Sequence, residues 1–375
     1  MIATRLAVYY GVIFFVIGIM LPFWPLWMQS RGLAPEDIGV VMGIGMLMKV
    51  AANPVIAGYA DRTGTRRGPL IVFSVVATMA FAGFWPAHGF WPILVVTMAF
   101  FLFWSPLMPL TETLTMHYGT AGKLDYGRVR LWGSLTFIAA AWGGGWLLTG
   151  RSEDLIYWII LGGAVAVVIS AFLLPNTCLT ASESRNSFAP ILRVLKDRTF
   201  LWFIVATSLI QTSHIIYYAF GTIHWQKVGH SKAVIGWLWA EGVIAEVLLF
   251  MWGDKILKRV GAARLIALAG LAGLIRWWGT GVTDELPALL FLQILHGATF
   301  GAAHLGAIHF IAQRMEASVS ATAQSVYAAA VSGIGFSLAS LVSGHMYATQ
   351  GGAAYLPMAV MAGLGGVIAF QLRRR

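Results

Sequence analysis

The chain has 375 residues, 58% of them hydrophobic and 11% charged, and its mean hydropathy is +0.76. A typical globular chain is about 25% charged, so soluble and disordered classes are both excluded. The single cysteine, Cys178, excludes an internal disulfide or a cysteine-based metal cluster, and the meaning of the net charge of +10 depends on where the basic residues sit.

A helix that crosses a bilayer needs about 20 apolar residues. The first apolar run, 6–28, carries no charge, exceeds a signal-peptide core and lacks a small-residue cleavage site, so it reads as a spanning helix. Further runs follow at 36–60, 69–86, 90–115, 129–149, 155–174, 200–222, 234–253, 262–281, 286–311, 320–346 and 353–371. They form two sets of six around a polar stretch that holds Ser182, Glu183, Ser184, Arg185, Asn186 and Ser187. The predicted fold is an all-α membrane protein of twelve transmembrane helices. Residues 1–174 form one six-helix bundle, 175–199 a cytoplasmic linker, and 200–375 a second bundle.

On the faces joined to the N-terminus lie Arg5, Arg62, Arg66, Arg67, Lys123, Arg128, Arg130, Arg185, Arg193, Lys196, Arg198, Lys255, Lys258, Arg259, Arg264, Arg314, Arg373, Arg374 and Arg375, which is 19 of the 25 basic residues. The opposite loops hold Arg31, Arg151, Lys227 and Lys232. This bias places both termini in the cytoplasm. The basic pI is therefore a topology signal, and no nucleic-acid partner is implied.

Sliding the chain along itself by 197 residues pairs Gln29 with Gln226, Gly32 with Gly229, Ile38 with Ile235, Gly39 with Gly236, Gly45 with Gly242, Gly64 with Gly261 and Arg67 with Arg264. Two six-helix pseudo-repeats in one orientation are the layout in which two halves rock about a midplane site. The loop after the second span reads Gly58-Tyr-Ala-Asp61-Arg62-Thr-Gly64-Thr-Arg66-Arg67. It resembles the loop signature of the major facilitator superfamily. In that loop Gly58 permits close helix approach, Gly64 a tight turn, and Asp61 a cap or an arginine pair broken on opening. Arg62, Arg66 and Arg67 also anchor to the anionic leaflet. The loop 253–261 is a degenerate copy.

Five ionisable residues lie inside spans, Lys49, Glu112, Glu241, Glu246 and Arg276, with Arg130 one turn in from a loop. Each costs about 2.5–3.5 kcal/mol at the bilayer centre on insertion scales, so they are expected to face an internal cavity and to pair with one another. Glu112 follows Ser105-Pro106-Leu-Met-Pro109, where prolines weaken the fourth helix, and Arg130 opens the fifth across a short hairpin. The arginine fork can hold Glu112 or a substrate anion. In the second half, Glu246 occupies the repeat position of Lys49 and Arg276 lies mid-helix. Gln293 and His296 share one helix face, and Gln211, His214, Tyr217 and Tyr218 lie at helical spacing. Glu246 is the leading candidate proton site, with Glu112 and Glu241 behind it and His296 tuning or binding.

The segments Leu21-Pro-Phe-Trp24, 105–112, Asp125-Tyr-Gly-Arg128-Val-Arg130-Leu-Trp132-Gly133-Ser134, Gly242-Val-Ile-Ala-Glu246, Ile275-Arg276-Trp277 and Gln293-Ile-Leu-His296-Gly297 together resemble the phenylpropionate permease family, a branch of the facilitator superfamily related to oligosaccharide:proton symporters. Against the lactose-permease type, Glu112 and Arg130 match the sugar clamp, and Arg276 and His296 match the coupling site. Thr299 stands where that type carries an acid, and Gln211 and His214 replace its helix-seven aspartates. The resemblance implies proton-linked uptake of an aromatic carboxylate across a bacterial inner membrane by a protein acting as a monomer, without cofactor. Sixteen tryptophans and eleven tyrosines are compatible with flat apolar walls, while Arg130 or Arg276 holds the carboxylate.

A neutral sugar or nucleoside, bound by Glu112 and Arg130 together, stands as the alternative substrate. A non-transporting sensor would need an output domain, for which the longest internal loop leaves no room. An enzyme is not expected: no nucleophile elbow is present, and His296, His304 and His309 lack metal-ligand spacing.

Overall fold

The computed structural model describes residues 1–176 and 189–372, with the side chains of 54, 55, 57–63, 189, 317 and 318 outside that description. Gly58, Asp61 and Arg62 of the expected gating loop fall among those side chains. Cys178, residues 182–187 and the three terminal arginines lie outside the described residues.

Bilayer-length apolar runs become helices because every backbone polar group in lipid must be satisfied within the segment. In chain order these are α1 (Ile2–Ser30), α2 (Pro35–Thr63), α3 (Arg67–Ala82), α4 (Phe90–Trp104), α5 (Leu107–Thr120), α6 (Tyr126–Leu148), α7 (Asp154–Leu173), α8 (Ala189–Leu195), α9 (Arg198–Thr212), α10 (Ile215–Lys227), α11 (Lys232–Met251), α12 (Gly253–Val260), α13 (Ala262–Val282), α14 (Leu286–His296), α15 (Ala303–Arg314), α16 (Ala317–Ala328), α17 (Phe336–Gln350) and α18 (Tyr355–Leu372). No strand occurs among the described residues. Among the described residues nine stretches are long and apolar enough to span, and one of these, Val319–Leu372, holds two passes. With α2 and the shorter α3, the described residues make twelve passes.

Four passes are interrupted. The fourth breaks between α4 and α5 at Ser105 and Pro106, and the seventh between α9 and α10 at Ser213 and His214. The tenth and eleventh widen into π-helical turns at Gly297–Ala302 and Ala329–Gly335. Helix starts follow capping chemistry. Pro35 begins α2 while the Asp37 carboxylate accepts the Ala34 N–H at 3.2 Å. Asp125 caps α6 by accepting the Arg128 N–H at 3.0 Å, and Asp197 caps α9 by accepting from Thr199 and Phe200 at 2.8 and 3.2 Å. The pseudo-repeat is also visible in the backbone. Gly64 and its mate Gly261 both take positive φ, +67° and +81°, a region in which a Cβ is penalised.

The chain resolves into two compact units. Met1–Arg185 and Ser231–Trp237 form one, and Asn186–His230 and Leu238–Arg375 the other. In the first, α1 lies against α6 and α7. A Cβ on Gly18 would stand 2.8 Å from the Phe137 carbonyl oxygen, so only glycine allows that approach. The rings of Trp24, Trp27, Phe81, Phe84, Phe100 and Tyr157 form a continuous aromatic core. Within this unit Lys232 Nζ donates to Glu153 at 2.7 Å and to the Arg151 carbonyl at 3.0 Å. In the second unit, α13 meets α18 where a Cβ on Gly270 would lie 2.4 Å from the Gly366 Cα. Such small-residue seams supply packing in lipid, where no hydrophobic force drives helices together.

Candidate functional site

The second unit builds its site around Arg276 of α13, which is fully enclosed. One terminal guanidinium nitrogen donates to His296 Nδ1 at 2.9 Å and to Thr299 Oγ1 at 3.0 Å, and the other to Gln293 Oε1 at 2.7 Å. Its carbon sits 4.3 Å from the Trp277 ring centroid and 4.8 Å from that of Tyr217, within cation–π range. Arg276 Nε and Gln293 Nε2 are enclosed without hydrogen-bond partners among the described residues.

Local structure explains this convergence. Gln293 and His296 lie one turn apart on α14, and the π-turn that follows swings Thr299 onto the same face. On the other side, the break at Ser213 directs His214 inward: Ser213 Oγ donates to the Ile210 carbonyl and accepts the Trp277 indole N–H at 2.8 Å. His214 contacts the Gln211 carbonyl through Nδ1 at 2.9 Å and Thr299 Oγ1 through Nε2 at 3.1 Å. A carbonyl can only accept, so His214 Nδ1 carries a proton. Thr299 Oγ1 accepts from Arg276 and also reaches the His296 carbonyl as a donor at 3.3 Å. Arg276 can only donate, which makes His296 Nδ1 an acceptor and leaves that ring's proton on Nε2, so the His296 imidazole is neutral in this network.

Glu246 of α11 stands 3.8 Å from His296 Nε2. Glycine brings it there: a Cβ on Gly242 would meet His296 at 3.2 Å, and one on Gly297 the Ala245 carbonyl oxygen at 2.7 Å. Tyr217 stacks on Trp239 at 4.2 Å and Tyr218 lies beside the same indole. Gln211 lines a cavity of about 240 Å³ with Tyr327, Phe300 and His304. Glu241 Oε2 is enclosed without a hydrogen-bond partner among the described residues.

The first unit holds Glu112 and Arg130. Arg130 Nε lies 3.3 Å from Glu112 Oε1, Tyr126 donates its hydroxyl to the same carboxylate, and the guanidinium rests 4.1 Å from the Phe14 ring centroid. Lys49 of α2 lines a separate pocket with no acid paired to it among the described residues. Of the loop expected to gate, Arg66 is buried and Arg67 donates to the Phe172 carbonyl at 2.7 Å, occupying an acceptor at the end of α7 that the helix itself leaves open.

Mutual pairing of the interior charges, expected from their cost, is seen for Glu112 with Arg130, whereas Arg276 and Lys49 have no acid partner among the described residues. Around Arg276, neutral polar side chains and rings carry part of the stabilisation that an acid would supply. Of the candidate binding residues read from the sequence, the structure places Gln293, His296, Tyr217 and His214 around Arg276 and sets Glu112 with Arg130 in the first unit. Sequence reasoning missed Trp277, Trp239 and the role of Thr299. Glycines at both ends of the segment 297–301 were the one available signal of the π-turn.

Twelve passes in two pseudo-repeats with charged side chains clustered inside them define a multi-pass membrane transporter. The chain belongs to the major facilitator superfamily, matching the MFS_1 like family over residues 3–356. A probable 3-phenylpropionic acid transporter of Escherichia coli (strain K12) is 34% identical over 96% of this chain and 95% of its own length. A maltose permease of Geobacillus stearothermophilus is 24% identical over 99% and 95%. The crystal structure of the nucleoside transporter NupG superposes with a TM-score of 0.83 at 17% identity, covering 100% of this chain and 98% of that one. The protein is thus a facilitator-superfamily secondary transporter.

Proposed function

We propose that the protein couples inward proton movement to the uptake of a small aromatic carboxylate by alternating access, in a bacterial inner membrane with both termini cytoplasmic. The observation that carries this reading is Arg276, an enclosed guanidinium whose hydrogen-bond partners His296, Thr299 and Gln293 are all neutral. A buried charge held without an acid suits a site whose counter-ion arrives with the substrate. The planar fork matches a carboxylate, and the rings of Tyr217 and Trp277 beside it match an aromatic body. The name of the Escherichia coli relative, a probable 3-phenylpropionic acid transporter, supports the same class.

Coupling follows from the hydrogen bonds. A carboxylate that engages Arg276 draws its N–H away from His296 Nδ1. The ring's other nitrogen, Nε2, already faces Glu246 at 3.8 Å, so anion binding on one side of the imidazole changes the surroundings in which Glu246 takes or releases its proton. Glu246 is assigned as the proton site and His296 as the link to the substrate anion; Glu241 is next in line. Glu112, held by Arg130 and Tyr126, serves with Arg130 in substrate binding.

The Glu112–Arg130 pair favours a second reading, a neutral sugar or nucleoside whose hydroxyls bridge donor and acceptor. Uptake of labelled 3-phenylpropionate into proteoliposomes separates the two. Accumulation only under an imposed inward proton gradient is expected. Absence of uptake by folded protein under either condition overturns the aromatic-acid reading and turns the search to sugars and nucleosides.

A further inference from the structure

We propose that the first unit carries a second binding pocket, which takes the ring and carboxylate of an aryl monocarboxylate with Lys49 as its counter-ion. The proposal rests on the aromatic-acid reading for its ligand class, but on none of the residues around Arg276. The pocket has a volume of about 210 Å³ and lies among α1, α2, α4 and α5. Its walls include Met20, Met42, Met46 and Met108 with the indoles of Trp24 and Trp104. Lys49 is its one charged lining residue, and among the described residues neither an acid nor a hydrogen-bond acceptor is paired with that ammonium.

Each feature narrows the ligand. An ammonium without a partner inside a span is costly and calls for an anion. The other polar lining groups have their hydroxyl protons committed: Ser105 Oγ donates to Asn53 Oδ1 at 3.2 Å, and Thr97 Oγ1 to the Ile93 carbonyl at 2.7 Å. Those two oxygens can still accept, but together with the Lys49 ammonium they are too few to pair the several hydroxyls of a sugar. An apolar ring meets thioethers, which adapt to its outline and contact its edge favourably. The Trp24 wall is rigid, because that indole stacks on Trp27 at 4.3 Å and packs on Phe81 at 5.1 Å. A monoanion with an apolar body is the ligand that pairs the charge and leaves nothing else unsatisfied. Arg276 is enclosed while Lys49 borders open volume, so an acid can reach Lys49 with no rearrangement around Arg276.

Equilibrium binding of radiolabelled 3-phenylpropionate to the purified full-length protein tests this, with the neutral 3-phenylpropanamide as competitor. In an R276Q background one acid per chain is expected to remain bound, and the amide is expected not to compete. Adding Lys49→Met, which keeps the length and removes the charge, is expected to weaken that binding by about tenfold or more, and Lys49→Arg to restore it. Met108→Trp, which fills the pocket and leaves the ammonium in place, is expected to weaken it likewise. Unchanged affinity in Lys49→Met, or effective competition by the amide, overturns the pocket. Acid binding lost through Lys49→Met but untouched by R276Q would leave the pocket standing and remove Arg276 as an anion site. Absence of binding in the parent overturns both.

Discussion

Replacing Thr299 with Asp gives Arg276 a permanent carboxylate and tests whether the guanidinium awaits an anion. Thr299 Oγ1 is 3.0 Å from Arg276 and 3.1 Å from His214, and aspartate adds one heavy atom to the side chain. Two unit charges about 4 Å apart interact by about 4 kcal/mol at the effective dielectric that describes protein sites best. Burying the new carboxylate offsets part of this. Even half of that energy, about 2 kcal/mol, lowers the affinity for a competing substrate anion about thirtyfold, and the whole of it about a thousandfold. In a Lys49→Met background, where only the Arg276 site can hold the acid, the variant is expected to bind labelled 3-phenylpropionate at least about thirtyfold more weakly in equilibrium binding, while its melting temperature holds or rises. Thr299→Val is the control: it removes an acceptor from a charged donor and a hydrogen bond to His214, which is expected to cost about 2–4 kcal/mol of stability. Unchanged substrate affinity in a folded Thr299→Asp protein would refute Arg276 as the anion anchor.

Glu246→Gln is expected to abolish accumulation driven by a pH gradient while leaving counterflow exchange intact; unchanged accumulation moves the proton to another residue. Arg130→Lys is expected to lower uptake about tenfold or more, because an ammonium reproduces neither the fork toward Glu112 nor the stacking on Phe14, and retained affinity removes Arg130 from the site. Gly270→Ala places a methyl 2.4 Å from the Gly366 Cα and is expected to destabilise the second unit by about 1–3 kcal/mol, read as a lower melting temperature. Asp197→Ala removes the cap of α9 at an expected cost of about 0.5–2 kcal/mol. Burial opposes ionisation of Asp197, but hydrogen bonds from Arg314, Phe200 and Thr199 outweigh it and hold the carboxyl below the usual aspartate range. That stability is present above the ordinary aspartate range and is lost as pH falls through the depressed value, so the gap between parent and Asp197→Ala is expected to close in acid.

The twelve passes were legible because the bilayer imposes its thickness on the sequence, and the repeat because Gly32, Gly64 and Gly45 recur at one offset. The break at Ser105 and Pro106 could be read directly, since proline removes a donor. The break at Ser213 could not: a serine there is ordinary until the Trp277 indole is known to reach it. Gln293 and His296 were visible as neighbours on one helix face, but their partner Thr299 depends on an irregular turn that periodicity hides. Lys49 was recognised as an interior charge, whereas its methionine and tryptophan walls come from four different helices and have no signature along the chain.

The two halves interrupt equivalent helices by different means. Ser105 and Pro106, moved along by the repeat offset, fall on Ala302 and Ala303, at the end of the π-turn Gly297–Ala302. A proline interruption is covalent and permanent. A π-turn is only a hydrogen-bond register, closed by i→i+5 bonds in place of i→i+4. Returning it to α geometry re-indexes one flank against the other by about 100° and about 1.5 Å, with no bond broken in the chain. Thr299 sits inside that turn, so such a slip would withdraw its hydroxyl from Arg276 and His214 while Gln293 and His296, on the preceding flank, kept their places. The interruption in the first half is thus fixed by its covalent structure, and the one in the second half only by the register of its hydrogen bonds.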